Sequence, residues 1–399
     1  MPRGFFHKSQ LTTRKAPPSL VPKCGSCGLF QSCLSPKMPT GGEGDRRILI
    51  VGNMPTASED ESGRHFTGPA GQLLERSLLN VGINLRKDCT LTNALICYPS
   101  NNPVKDVMVD YCRPNLIQTI RQTSPEVIVP LGDAAVKSVL GHLYKDEDLG
   151  TINKWAGWQI PCQKLNVWIC PTFDPDYVLS SDRNPVPGLV FRRHLRDISK
   201  LSGRPWDVVP DYPSQVERIF NPRKAAIAIR EFLNSRLLAF DYETTTLKPE
   251  YEGAAIVCCS LSDGKRTIAF PWIGETIEAM QEIIRSDIPK IASNLKFEER
   301  WTRWYFGHGV TNWKWDTMVA AHCIDNRPKI TSIKFQSFVL LGAEPYDEHV
   351  KKQLRVQGQE TNEVKEEVEL DQLLTYNGLD SLLEYKVARI QMRLIGVAL

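Results

Sequence analysis

The chain has no apolar run long enough to span a bilayer and no apolar leader segment. It also lacks a strong net charge, since 49 Lys and Arg stand against 46 Asp and Glu, a formal +3. The first absence excludes a membrane-spanning helix and, with 11 cysteines present, argues against a secreted disulfide scaffold. An intracellular metal site plus buried free thiols is the simpler reading, with the cytoplasm as the expected location. The second absence excludes a whole-chain basic field, so any contact with nucleic acid has to be local. Two local candidates exist: Arg3, Lys8, Arg14 and Lys15 in the first twenty residues, and the denser Arg192-Arg193-His194-Leu195-Arg196 on an expected helix, with Arg192, Arg193 and Arg196 placed to meet phosphates.

What is present begins with Asp241 and Glu243, which follow the apolar run Leu237-Leu238-Ala239-Phe240. Two apart on a buried strand, their carboxylates share a face. That pairing supplies hard oxygen ligands for a magnesium or manganese ion that orients water and neutralises a phosphodiester. Tyr376 and Asp380, four apart in an expected helix, put a phenol and a third carboxylate on one face.

These residues carry a resemblance. Phe240-Asp241-Tyr242-Glu243-Thr244-Thr245, Asn294-Leu295-Lys296-Phe297-Glu298 and Tyr376-Asn377-Gly378-Leu379-Asp380 resemble, in order, the three motifs of the DnaQ-like 3′-5′ exonuclease domain of DNA polymerase I relatives. Trp315-Asp316-Thr317-Met318 resembles that family's strand-to-helix segment after the second motif. The resemblance implies Asp241, Glu243 and Asp380 as ligands of two Mg2+ or Mn2+ ions, Glu298 as a supporting ligand, Tyr376 as the group that positions water, and Asn294 and Lys296 as nucleic-acid contacts. Glu298 departs from the family's usual Asp by one methylene.

In the first half, Cys24-Gly25-Ser26-Cys27 with Cys97 and Cys112 could gather four thiolates around zinc or an iron-sulfur cluster, and spacing leaves the two about even. Cys33 is close enough to replace a distant ligand, while Cys89, Cys162, Cys170, Cys258, Cys259 and Cys323 read as small buried hydrophobes. The segments around the cysteines resemble family 4 uracil-DNA glycosylases: Ile48 to Pro55, Gly63 to Leu74, Leu91 to Cys97, Cys112-Arg113-Pro114 and Val127 to Gly132. That resemblance implies a [4Fe-4S] cluster on Cys24, Cys27, Cys97 and Cys112, and a base pocket in which Phe66 stacks on a flipped base and Asn93 reads its edge. Departures fall on the chemical positions. Asn53 stands where the family has Glu, and Asp174-Pro175-Asp176 where it has His-Pro-Ser. An amide is no carboxylate base, and Asp174 removes the donor that would stabilise charge on departing uracil.

The expected architecture is α/β: a mobile basic arm (1–20), a three-layer glycosylase-like domain (21–202), and a ribonuclease-H-like, DnaQ-like exonuclease domain with a mixed sheet (203–399). Trp206 to Val209 reads as an edge strand of the second domain, Lys224 to Leu233 as a helix, and the polar stretch Glu344 to Glu369 as a helical surface insertion or loop. The expected function is metal-dependent trimming of a 3′ DNA end, with the first half as a degenerate glycosylase-like DNA-binding domain; the alternatives are a non-catalytic DNA-binding or scaffold subunit of a replication complex and a bifunctional uracil-DNA glycosylase and exonuclease. Because the chain ends at Leu399, soon after the third motif, proofreading would need a separately encoded DNA polymerase or another replication protein. The domain combination resembles phage replication proteins, which would place it in a bacterial host's cytoplasm.

Overall fold

A computed structural model describes residues 24–100, 102–144, 149–181, 183–346, 354–357, 360–364 and 369–397, so the basic arm lies outside the described residues. The chain divides into two compact units: Met1–Trp158 with Val167–Arg204, and Gln159–Asn166 with Pro205–Leu399. Among the described residues no helix is long and apolar enough to cross a membrane.

Unit 1 runs β1 (Ile48–Gly52), α1 (Ala57–Ser62), α2 (Pro69–Leu79), β2 (Cys89–Asn93), α3 (Asp106–Thr123), β3 (Val127–Pro130), α4 (Asp133–Leu140) and α5 (Ile152–Trp155). After the excursion that holds β4 (Ile160–Cys162) come β5 (Val167–Ile169), α6 (Pro175–Ser180) and α7 (Val186–Ile198). Its strands pair in parallel in the order β2-β1-β3-β5. Every residue of β1 and β3 is buried, as strands covered on both faces require. Ile48 and Ile50 pack with Leu74 and Leu78 of α2 and with Phe191 and Leu195 of α7, while α3 and α4 lie against the sheet's other face. The three layers follow. The β1–β2 register sets Gly52 opposite Asn93, and a Cβ on Gly52 would sit 2.2 Å from Asn93 Oδ1, so glycine is required where the strand meets the pocket.

Unit 2 contains β6 (Val216–Arg218), α8 (Pro222–Glu231), β7 (Leu238–Thr244), β8 (Ile256–Ser262), β9 (Thr267–Pro271), α9 (Glu275–Arg285) and β10 (Lys290–Ala292). It continues with α10 (Lys296–Phe306), β11 (Trp313–Asp316), α11 (Thr317–Ile324), α12 (Ile333–Leu341), β12 (Leu354–Gln357), β13 (Glu360–Val364) and α13 (Leu370–Ile395). The sheet order is β11-β10-β7-β8-β9-β6, with β8 antiparallel to its neighbours. This is the mixed, ribonuclease-H-like arrangement expected for the C-terminal half. Alternation along β7 decides where the chemistry goes. Phe240 and Tyr242 join the core with Phe270, Trp272 and Trp301, each burial contributing roughly 1.5–3 kcal/mol. Ala239, Asp241 and Glu243 therefore face the other way, toward α13. That helix comes close because residue 378 is glycine: a Cβ there would lie 2.3 Å from Val216 Cγ1.

Three expectations need correction. Trp206 to Val209 forms no strand, and the edge is instead Val216–Arg218. Within Glu344 to Glu369, residues 354–357 and 360–364 pair as an antiparallel hairpin, β12 with β13, which joins β7 through Glu363 and Thr244, so strand pairing rather than a helix satisfies their backbone. Cys323 is exposed, at the end of a short helix, whereas Cys89, Cys162, Cys170, Cys258 and Cys259 are buried.

Candidate functional site

The first motif presents two of its side chains to the third. One ligand oxygen each from Asp241, Glu243 and Asp380 lie within 4.8 Å of one another, a spacing suited to a divalent cation. Asn377, one turn before Asp380, donates its Nδ2 to Asp241 Oδ2 at 2.7 Å and pins α13 over β7. Tyr346 OH donates to Asp380 Oδ1, its ring centroid lies 5.8 Å from that of Tyr376, and Lys334 Nζ lies 5.2 Å from the Tyr376 ring. Burial, then the charge of Asp380, holds Asp241 well above the usual carboxylate range. Burial, then Asp241 and Asp380, does the same to Glu243, with Lys334 opposing both shifts. Burial and Asp241 likewise raise Glu298, and the Tyr376 phenol is raised by burial and Asp380. Anionic oxygens crowded into a buried site are what a cation relieves.

Glu298 sits on the first turn of α10, 2 % exposed. The turn before it is shaped by Asp316, whose carboxylate accepts the N–H groups of Asn294 (3.1 Å), Leu295 (3.0 Å), Met318 (2.9 Å) and Val319 (3.2 Å). Asp316 thus caps α11 and fastens the second motif. Asn294 holds a left-handed φ of 65° there, and Lys296 is exposed at the helix start. Asp316→Ala leaves all four N–H groups without their acceptor and is expected to destabilise the chain by roughly 3 kcal/mol, read as a lower thermal midpoint, with Asp316→Asn losing less.

Unit 1 carries the other two sites. A cavity of about 110 Å3 is lined by Gly52, Asn53, Glu59, Phe66, Asn93 and Asp174 among others. His65 Nε2 lies 2.8 Å from the Pro39 carbonyl and therefore carries the proton; its Nδ1 accepts from Asn93 Nδ2 at 3.2 Å. Burial lowers the His65 pKa, which keeps the ring neutral, and leaves Asn93 Oδ1 as the pocket's acceptor. Phe66, at φ 53°, donates its N–H to Glu59, and Arg86 holds the carbonyls of His65 and Phe66 at 2.7 Å each. Asn53 gives its Nδ2 to Asp174 Oδ2 and accepts the Ala135 N–H at 3.1 Å. Asp174 Oδ1 caps α6 by accepting from Asp176 N at 2.9 Å.

Burial pushes Asp174 from 3.8 to about 6, ahead of the charge of Asp176. A carboxyl whose folded pKa exceeds its unfolded one stabilises the fold while protonated; that contribution is complete below 3.8 and is lost as pH rises through about 6. From about pH 7.5 down to about 5.5 the wild type is expected to gain about 1 kcal/mol, or roughly 2–4 °C, over Asp174→Asn. Parallel melts at the two pH values check this.

Five thiols lie near one another in unit 1. Cys27, Cys33 and Cys112 pack against Leu29, Leu95, Cys97 and Val109. Cys97 feels Cys33 and Cys112, and Cys112 feels Cys24 and Cys27. Lys37 N–H points at Cys97 Sγ (3.3 Å) and Asn115 Nδ2 at Cys112 Sγ (3.9 Å), contacts that suit thiolate ligands. Burial holds Cys97 at about 12 and Cys112 at about 11, so bound metal would have to displace their protons. Cys24, Cys27, Cys33, Cys97 and Cys112 are thus near one another, though among the described residues it is Asp241, Glu243 and Asp380, not thiols, whose ligand atoms lie within 4.8 Å of one another. Arg192, Arg193 and Arg196 are exposed on α7 while Phe191, His194 and Leu195 face inward.

Sequence reasoning did not single out Asn377, Lys334, Tyr346 or Glu384 as site residues. Asn377 and Glu384 lie three before and four after Asp380, a helical spacing that was available as a signal.

Residues 38–196 match the Uracil DNA glycosylase superfamily. The type-4 uracil-DNA glycosylase of Pyrobaculum aerophilum is 36% identical over 164 residues, 40% of this chain and 81% of that protein. The type-4 enzyme of Thermotoga maritima is 34% identical over 189 residues, 45% and 88% of the two chains. Among solved structures, Escherichia coli RNase D, an exoribonuclease involved in structured RNA processing, superposes at a TM-score of 0.37 and 14% identity over 45% of each chain. That score is too low to carry an argument, and the assignment of unit 2 rests on its own strand order and carboxylates. Through residues 38–196 the chain belongs to the uracil DNA glycosylase superfamily.

Proposed function

We propose that unit 2 is a metal-dependent 3′-5′ DNA exonuclease releasing nucleoside monophosphates, and that unit 1 is a DNA-binding domain of glycosylase fold that recognises a base without excising it efficiently. The observation that carries the nuclease reading is the meeting of Asp241, Glu243 and Asp380 within 4.8 Å beneath α13. These three would hold two Mg2+ or Mn2+ ions, with Glu298 in support. When bound, the ions supply charge neutralisation at the phosphodiester and activation of the attacking water. Tyr376 orients that water, and Lys334 offers positive charge near the scissile phosphate. Asn294 and Lys296 contact the strand in unit 2, and Arg192, Arg193 and Arg196 are the phosphate contacts of unit 1.

The reading of unit 1 is supported by the bond between Asn53 and Asp174. Asn53 already spends its nitrogen on Asp174 and its oxygen on Ala135 N–H, so it is poorly placed to position water. Asp174 puts a carboxylate where a departing uracil needs a donor. Phe66 and Asn93 still offer a stacking face and an acceptor to a flipped base. Cys24, Cys27, Cys97 and Cys112 would hold a [4Fe-4S] cluster, which would anchor the segment around Cys24 and Cys27 to unit 1. The expected setting is the cytoplasm, that of a bacterial host if the chain is phage-encoded, with a separate DNA polymerase or other replication protein supplying the 3′ end.

Matched 5′-labelled single strands of DNA and RNA, incubated with the full chain and Mg2+, test the substrate class. DNA is expected to shorten from its 3′ end to give nucleoside monophosphates; shortening of RNA alone would overturn the DNA assignment.

A further inference from the structure

Three carboxylate oxygens, among the described residues, are buried without a hydrogen-bond partner: Glu243 Oε2, Glu298 Oε2 and Glu384 Oε2. The first two belong to residues already placed at the metal centre. Glu384 belongs to no motif, is 2 % exposed, and lies on α13 four residues beyond Asp380. Residues 377, 380 and 384 share one face of that helix, the face that Asn377 fastens to Asp241. The other oxygen of Glu384, Oε1, accepts the N–H of Ser293 at 3.2 Å. Ser293 follows β10, in which Ile291 pairs with Ala239; continuing that register by two residues brings Ser293 level with Asp241. Glu384 is therefore tied to the sheet beside the first motif, and Asp241, Glu298 and Asp380 are the carboxylates whose charge acts on it.

A tie between α13 and the second-motif turn explains Oε1 and leaves Oε2 unexplained. A glutamine would make the same tie without adding an acid to a crowd of four. The three carboxylates within 4.8 Å offer one compact set of ligand oxygens. A second ion needs further oxygens nearby, and among the described residues Glu298 Oε2 and Glu384 Oε2 are the carboxylate oxygens outside that set that are buried without a hydrogen-bond partner.

We propose that Glu384 is a fifth carboxylate of the metal centre and, together with Glu298, completes the second cation site. This rests on the metal-dependent nuclease reading of unit 2. The extra methylene of Glu298 and the extra acid at position 384 are then one feature: the second ion is held by two glutamates, one reaching from α10 and one from α13.

The test is Mn2+ binding to the full chain in the absence of nucleic acid, followed by electron paramagnetic resonance, for the wild type and Glu384→Gln, with melting of both proteins in EDTA. Two bound Mn2+ are expected for the wild type. Glu384→Gln is expected to weaken one of them at least tenfold, leave the other within threefold, and melt higher than the wild type in EDTA because a like charge has left the cluster. Two unchanged Mn2+ affinities in Glu384→Gln would overturn the proposal while leaving the nuclease reading intact. A variant that melts lower in EDTA shows that the charge of Glu384 stabilises the metal-free fold rather than crowding a cation site, and overturns it as well. A wild type that binds no Mn2+ and trims no DNA removes the nuclease reading, and this inference with it.

Discussion

Asp241→Ala is expected to abolish 3′-end trimming by the full chain, with a fall of at least about 10³-fold, while DNA affinity measured in EDTA is expected to stay within about threefold. The size follows from what the residue holds. Asp241 belongs to the compact carboxylate set, and its removal leaves Glu243 and Asp380 without the oxygen that completes it. Losing a cation's share of transition-state charge is a loss of several kcal/mol, each 1.36 of which is about tenfold in rate. A structural role predicts something different. Asn377 Nδ2 bonds Asp241 Oδ2, so Asp241→Asn keeps most of the shape of that contact while removing the charge. The variant is therefore expected to be folded and inactive, and to melt higher than the wild type in EDTA, because the carboxylate's burial among other acids opposes folding. Trimming that persists in purified Asp241→Ala would sink the site.

Cys97→Ser is expected to remove bound iron and labile sulfide from unit 1 and to open residues 24–40 to protease. Among the described residues that stretch holds only a three-residue 3-10 helix, Leu29–Gln31. It is anchored by a few bonds: Met38 N to Ile96 O at 2.8 Å, Gly41 to Leu91, and the N–H groups of Leu34 and Ser35 on the Asp60 carboxylate at 2.8 Å. Metal binding in such a segment is folding free energy, on the order of 10 kcal/mol for structural sites. Cys97 is 6 % exposed and carries the Lys37 N–H contact, so a serine there leaves a buried hydroxyl in place of a ligand. The measurement is iron and sulfide content with limited proteolysis of the anaerobically purified chain. Zinc in the wild type at one ion per chain would contradict the cluster assignment.

The parts of this molecule that local pattern controls were readable, and the parts that long-range contact controls were not. A buried strand with acids two apart and a helix with Tyr376 and Asp380 four apart are short-range facts, and they meet in the fold as the alternation of β7 and the face of α13 dictate. Trp315-Asp316-Thr317-Met318 read as a strand passing into a helix, which it is, yet Asp316's grip on Asn294 and Leu295 joins residues 22 and 21 apart. Asn53 and Asp174, 121 positions apart, were each noticed as departures, and only the fold shows one bonded to the other. Glu384 carried only its helical spacing from Asp380, and a single glutamate in a helix is ordinarily a solvated side chain. The hairpin Leu354–Gln357 with Glu360–Val364 failed for a different reason: the stretch is mostly polar, and alternation over four or five residues is too short a pattern to set a strand apart.

One measurement bears most directly on the central claim of a working exonuclease joined to a non-excising glycosylase fold. A 5′-labelled DNA strand with one internal uracil is incubated with the anaerobically purified full chain, in Mg2+ or in EDTA, and resolved before and after alkali. A Mg2+-dependent ladder descending from the 3′ end, with no alkali-dependent break at uracil in EDTA, is the expected result. An intact strand in Mg2+ would contradict the nuclease, and an EDTA-resistant break at uracil would show that Asn53 and Asp174 still support base excision.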